Sequence, residues 1–365
     1  MSEAEQPQPP PPPPRRRRIR YRGTHPRRFE EKYKELNPEQ YPETVAQVRA
    51  SGKTPAGLHV PILLAETIEI LKPQPGERAV DCTLGAGGHA AALLTALQPG
   101  GVLLGLDRDP AEIERAETRL RSLGIPEGSL LVRRTNFAGL RRALEEINWE
   151  DGADLILADL GVSSMQFDNP ARGFSFKQEG PLDMRMNPER GISARDLLRK
   201  LTPAKLAALL VENADESYAQ ELADAVAGRD FPTTRALVES LRLALPQRLG
   251  EEEREQSVRR VFQAIRIEVN EEFTALDALL RQLPGCLRPG GRVAVLTFHS
   301  GEDRRVKHAF REGFRTGFYS ECGRDVIRAS AEERRSNPRS SSAKLRWAVR
   351  ASSAQKSGFQ GSQSP

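Results

Sequence analysis

No stretch of this 365-residue chain approaches eighteen consecutive apolar residues, so no membrane-spanning helix is expected. An apolar leader is missing as well: where a secretory signal would need one, the N-terminal region has polyproline and arginine. A protein that is not exported, cytoplasmic and without a membrane partner, is the expectation. Cysteine is scarce. Cys82, Cys286 and Cys322 are odd in number and far apart, with no spacing suited to a disulfide framework or a zinc site. A reducing compartment and no metal site follow as expectations.

Charge is unevenly spread. Residues 1–34 carry ten Lys/Arg against four Asp/Glu, and residues 302–365 carry fourteen against seven. The net charge of +5 therefore hides a middle segment at −8 between two basic ends. Basic arms suit a phosphate backbone, where each neutralised phosphate releases counterions. A solvated tail is the competing reading of an arginine run.

Pro9 to Pro14 followed by Arg15 to Arg18 cannot bury apolar surface, so residues 1–57 are expected to form a disordered basic arm. The Ser/Gln/Gly-rich stretch 351–365 is expected to be a disordered tail. Between them, Pro61 to Leu71 has helical spacing, and a short strand from Arg78 ends at Asp81-Cys82-Thr83 before the turn Gly85-Ala86-Gly87-Gly88 and a helix. Val102 to Leu106 is an apolar strand ending at Asp107, with Asp109-Pro110 as cap and first helical residue. Leu130 to Val132 and Ala153 to Ala158 supply two more strands, the second ending at Asp159. This alternation predicts a parallel sheet with a ligand crevice beyond its carboxyl ends. Helical signals replace strands from Phe167 to Val269. The pattern resumes with a helix near Phe273 to Leu283, the turn Pro289-Gly290-Gly291 and a strand from Arg292 to Phe298. Leu345 to Val349 reads as an edge strand with one solvated face.

The turn Gly85-Ala86-Gly87-Gly88-His89-Ala90 fits G-x-G-x-x-A, and Asp107 lies 22 residues after Gly85, where a ribose-binding carboxylate belongs. Nicotinamide dinucleotides and S-adenosylmethionine share those features. Asp81 favours the second, because a carboxylate there repels a pyrophosphate and attracts an ammonium or sulfonium. Asp159-Leu160-Gly161-Val162-Ser163-Ser164 follows the fourth strand, where a carboxylate and hydroxyls could orient an exocyclic amine. Asp159 and the serines could equally be caps.

The segments Asp81 to His89, Leu106 to Asp109, Asp159 to Gln166, Arg172-Gly173-Phe174-Ser175-Phe176, Gly180 to Met186, Phe298 to Arg304 and Asn337-Pro338-Arg339 resemble the ribosomal RNA small subunit methyltransferase H family, also called MraW, over about His59 to Val349. The resemblance implies a class I (Rossmann-like) α/β methyltransferase sheet, residues 58–166 and 270–350, with an inserted all-helical, substrate-binding domain, residues 167–269. It implies S-adenosyl-L-methionine as cofactor and N4-methylation of a cytidine in the decoding region of small-subunit ribosomal RNA, the partner being that RNA within the small subunit, with an oligomer left open. Gly87, Gly88 and His89 would surround the methionine moiety, Asp107 would hold the ribose, Phe137 would lie against adenine, and Asp159 and Gln166 would close the pocket.

Asp159, Ser163 and His299 are the candidate catalytic residues, although a lone histidine at a strand end is more often structural. Asp183 and Arg185 are expected to overhang the pocket. Arg172, Arg185 and Arg304 could meet phosphates, while Phe174 and Phe176 could stack on a base or belong to a core. Gly301 departs from the family's usual leucine, and Asp215-Glu216-Ser217-Tyr218 from its Gly-Glu-Glu-aromatic pattern. Another nucleic-acid amino-methyltransferase, an NAD-dependent oxidoreductase and a non-catalytic nucleic-acid binder remain the alternatives.

Overall fold

A computed structural model describes residues 61–352, so the expectations for the arm over 1–57 and for most of the tail over 351–365 lie outside the described residues. Strand and helix alternate as the apolar runs require: α1 (Leu64–Leu71), β1 (Arg78–Asp81), α2 (Gly88–Ala96), β2 (Val102–Asp107), α3 (Pro110–Arg121), β3 (Leu130–Arg134), α4 (Leu140–Glu145) and β4 (Ala153–Asp159). Six helices follow, α5 (Ser164–Asp168), α6 (Ala194–Lys200), α7 (Pro203–Ala214), α8 (Ala219–Val226), α9 (Thr234–Ala244) and α10 (Glu251–Val269). The chain then returns to the sheet through α11 (Glu272–Cys286), β5 (Leu287–Thr297), α12 (Ser300–Arg315), β6 (Tyr319–Cys322), α13 (Ala331–Ser336) and β7 (Lys344–Arg350).

The seven strands form one sheet in the order β3-β2-β1-β4-β5-β7-β6. From β3 to β5 all neighbours are parallel. The chain moves outward from β1 to β3 and then crosses to the other side of β1 to lay down β4, so strand order reverses between β1 and β4. Ligands of open α/β sheets bind at such a switch point, beyond the carboxyl ends of the strands. Asp81, Asp107 and Asp159 are the last residues of β1, β2 and β4.

Buried strands in a parallel sheet feed both faces, and their side chains divide accordingly. Val293 and Val295 of β5 join one apolar cluster with Leu276, Leu279 and Leu283 of α11, while Ala294 and Leu296 join the opposite one with Leu93 of α2 and Leu120 of α3. The helices between β4 and β5 gather a third cluster, including Leu210, Leu222, Leu241, Val261 and Ile265. Phe174 lies in that cluster at 4% exposure, and Phe176 packs edge-on against Phe262 at 5.8 Å. Of the two alternatives, Phe174 is a core residue, and Phe176 is partly buried against that core.

Two sheet expectations are also corrected. Leu345 to Val349 is not an edge, because β7 pairs antiparallel with β5 on one side and with β6 on the other. Its basic Arg346, expected in solvent, is buried and ion-paired with Asp303 at 2.6 Å. The true edge, β6, is four residues long, too short for its alternation to stand out. The sheet is thus mixed. Further, the turn at Pro289-Gly290-Gly291 lies inside β5, where the pairing register with β4 shifts between Ala153 and Leu155.

Candidate active site

The glycine turn is built by the sequence around it. Gly85 and Gly87 have φ of +47° and +74°, a region that residues with a Cβ adopt only under strain. At Gly87 a Cβ would also stand 3.3 Å from Leu120, and at Gly88, the first residue of α2, 2.6 Å from Pro61. The turn is held down by Leu84 N–H on the Leu106 carbonyl at 2.8 Å and by Gly85 N–H on Asp107 Oδ2 at 2.8 Å. Asp109 N–H donates to the other Asp107 oxygen, Oδ1, at 2.9 Å. Burial raises the Asp107 pKa above the usual carboxylate range, against the pull of those backbone donors. Each oxygen keeps a second lone pair for a diol.

Asp81 is almost fully buried, and its Oδ1 accepts from the Thr83 amide at 3.0 Å and hydroxyl at 3.4 Å. Burial pushes its pKa up to about 6, with Asp159 and Asp107 adding repulsion and His89 opposing it. Thr83 Oγ1 in turn accepts from Asp159 N–H at 2.7 Å, so one hydroxyl ties β1 to β4. His89, in the first turn of α2, places Nε2 3.1 Å from the Ile62 carbonyl and Nδ1 3.4 Å from Asp159 Oδ2. Burial disfavours its charged form, yet Asp159 and Asp81 outweigh that and raise its pKa. The remaining Asp159 oxygen, Oδ1, is buried and has no hydrogen-bond partner among the described residues. A buried carboxylate oxygen without a donor is costly, and this one stands at the switch point of the sheet.

Three carboxylates and one histidine thus converge on the crevice, an excess of negative charge suited to a cationic ligand and hostile to a pyrophosphate. That donor set, together with the glycine turn, fits S-adenosylmethionine: a diol for Asp107, and an ammonium and sulfonium among Asp81 and Asp159.

Other expected site residues are placed differently. Ser163 is the cap of α5, accepting from Gln166 N–H at 3.1 Å and donating to Glu112 Oε1 at 3.0 Å. Gln166 is buried with both ends engaged, its Oε1 by Ser163 N–H at 3.0 Å and its Nε2 on Asp109 Oδ2 at 2.8 Å, so it forms wall rather than offering a free amide. Phe137 sits half-buried in a short 3-10 turn after β3, against the α11 side of the core. Arg172, expected on phosphates, instead donates to Asp109 at 2.8 Å and to the Arg185 and Met186 carbonyls at 2.9 Å. Arg185 is paired with Asp183 at 2.6 Å. Arg304 is exposed beside Asp215 at 3.6 Å.

His299 does not join the Asp159 group. It contacts Phe273, with ring centroids 5.6 Å apart, and Glu302, with Nε2 3.2 Å from Oε1. Gly301 has a reason here, since a Cβ would come within 2.5 Å of Phe273 and 3.3 Å of His299 Nδ1.

Several contributors escaped the sequence reading. Asn270 holds the Gly180–Met186 loop through its amide, donating to the Met184 carbonyl at 2.7 Å and accepting from Met186 N–H at 2.8 Å, while its own carbonyl accepts from Arg108 at 2.8 Å. Met184 itself is fully buried at φ +61°. Glu112 lies under Ser163, and Arg339 of the Asn-Pro-Arg segment ties the C-terminal region to Asp168 at 2.5 Å. Met184 and Arg339 stood within motif segments, whereas Asn270 and Glu112 carried no such signal.

Comparison with known proteins adds to this geometry. The profile of the MraW methylase family matches residues 56–351. Ribosomal RNA small subunit methyltransferase H 1 of Lachnoclostridium phytofermentans is 46% identical over 340 residues, covering 91% of this chain and 92% of its own. The corresponding enzyme of Acidobacterium capsulatum is 41% identical over 295 residues, covering 80% of this chain and 97% of its own. Among solved structures, fibrillarin of Aeropyrum pernix with natively bound S-adenosyl-L-methionine covers 78% of this chain and 74% of its own, at 11% identity and a TM-score of 0.36, too low to carry an argument. No helix among the described residues is long and apolar enough to cross a membrane.

Proposed function

The chain belongs to the MraW methylase family, and from that premise we propose that it methylates the exocyclic N4 of a cytidine in the decoding region of small-subunit ribosomal RNA. It is an S-adenosylmethionine-dependent ribosomal RNA methyltransferase, and the donor supplies an electrophilic methyl group. The observation that carries the site reading is the unpartnered Asp159 Oδ1 at the switch point.

A cytosine amine is a weak nucleophile because its lone pair is delocalised into the ring. Asp159 Oδ1 accepts one amine N–H, which orients the nitrogen and stabilises the positive charge that develops on it as the new C–N bond forms in place of the donor's S–CH3 bond; the surplus amine proton then passes to that carboxylate and on to solvent. Thr83 fixes the Asp159 backbone, and His89 fixes the other carboxylate oxygen, so the free one is presented in a single direction. Gly87, Gly88, His89 and Asp107 hold the donor, with Phe137 beside the adenine and Gln166 as buried wall. Ser163 acts by capping α5 and shaping the loop after β4 rather than by touching the base. His299, bound up with Phe273 and Glu302, takes no proton in this scheme. The helical segment 167–269 binds the RNA, and the assembled small subunit is its setting.

The test is to incubate the full-length protein with small subunits from cells lacking it and to map the methyl group by nucleoside mass spectrometry. N4-methylcytidine in the decoding region is the expected product. A methyl group on C5 or on another base would overturn the reading.

A further inference from the structure

His299 is nine-tenths buried; its Nε2 has only the ion-pair contact with Glu302 Oε1 at 3.2 Å, and its Nδ1 has no hydrogen-bond partner among the described residues. A buried imidazole has at least one N–H to satisfy, and an orphan of this kind points to an absent water or ion. Its surroundings favour an ion. Nε2 stands 3.2 Å from Glu302 Oε1, an ion-pair separation that a cation held between the two would also give. Glu272, in the first turn of α11, completes the group: one ligand atom each from Glu272, His299 and Glu302 lies within 4.8 Å of the others.

We propose that these three side chains form a site for a divalent first-row transition cation such as Zn2+. Tetrahedral ligand atoms about 2.0–2.2 Å from such an ion are about 3.4 Å apart, close to the His299–Glu302 separation, and Glu272, within 4.8 Å, moves inward on binding. Each carboxylate is already oriented by a donor that leaves it a free lone pair. Arg266 Nε and Nη2 hold the two Glu272 oxygens at 2.9 Å, and Phe298 N–H holds Glu302 Oε2 at 2.8 Å. Phe273 covers one face of the imidazole, and Arg305 lies 3.7 Å from the far ring, so the group is walled on that side.

The ion joins the end of β5 and the start of α12 to the start of α11. Glu272 follows Asn270 by two residues, and Asn270 holds the Met184–Met186 loop, which Arg172 ties to Asp109 just beyond β2. The role is therefore that of a staple for the acceptor side of the site, and it involves neither Asp159 nor the glycine turn.

The full-length protein, stripped of metal by chelation and returned to chelator-free buffer, is titrated with Zn2+ by calorimetry and by thermal unfolding. One equivalent is expected to bind and to raise the midpoint of unfolding, with Glu302→Gln and Glu272→Gln each weakening binding at least about tenfold. The zinc absorption edge is expected to show a nitrogen/oxygen shell with one imidazole. Absence of stoichiometric binding overturns the proposal, as does wild-type affinity in both variants or a shell containing sulfur from Cys82, Cys286 or Cys322. Should a variant fail to fold, the wild-type titration and edge spectrum decide alone, and neither depends on methyl transfer.

Discussion

Glu112 gives a sharp test of the electrostatics beneath the site. It is 2% exposed in the first turn of α3, its Oε1 accepts from the Ser163 hydroxyl, and its Oε2 has no partner among the described residues. Burial raises its pKa from an ordinary 4.5 to about 7, with the Ser163 bond opposing and Asp107 and Asp109 adding repulsion. Because the folded-state pKa is the higher one, the unfolded chain releases this proton first as pH rises. Stability is therefore lost between about pH 4.5 and about 7, amounting to about 3 kcal/mol at 1.36 kcal/mol per unit. In Glu112→Gln the neutral amide keeps the acceptor for Ser163 and cannot ionise. Urea unfolding of both proteins across pH 4 to 8.5 is expected to give a stability difference that is flat below about pH 4.5 and then grows in favour of the variant by about 3 kcal/mol by pH 8. Titrations elsewhere cancel in that difference. A difference independent of pH would refute the reasoning.

Gly87→Ala should lose about 1–2 kcal/mol of stability, from its φ of +74° and the approach to Leu120, with weaker S-adenosylhomocysteine binding in calorimetry. Asn270→Ala removes both hydrogen bonds to the Met184–Met186 loop. Steady-state methylation should show a raised KM for the small subunit with S-adenosylhomocysteine affinity unchanged, and an unchanged KM would count against the loop's role. Removal of residues 1–34, net +6, is expected to weaken small-subunit binding and flatten its salt dependence, measured between about 50 and 200 mM salt, while cofactor affinity stays.

The doubly wound core was readable because its signals are local. Asp81, Asp107 and Asp159 each end a short apolar run, and glycines sit where the turn after β1 needs positive φ. The crevice follows from that order alone. Side-chain partnership was not readable, because it depends on residues far apart in the chain. Arg172, expected on phosphates, meets Asp109 across 63 positions, and Arg346, expected in solvent, meets Asp303 across 43, so both are held by acids the periodicity does not point to. Phe174 and Phe176 could be base platforms or core by sequence alone, and the helices from α6 to α10 supply the core that buries Phe174 and backs Phe176. Likewise, the antiparallel β6 was hidden by its length, and with it the true position of β7.

The central claim is that Asp159 presents an unpaired oxygen to the amine that receives the methyl group. Single-turnover methylation of small subunits by Asp159→Ala, alongside calorimetry with S-adenosylhomocysteine, tests it directly. A rate lower by about 100- to 1,000-fold, with cofactor affinity changed by less than about tenfold, is the predicted result. A rate equal to that of the unaltered enzyme would contradict the account.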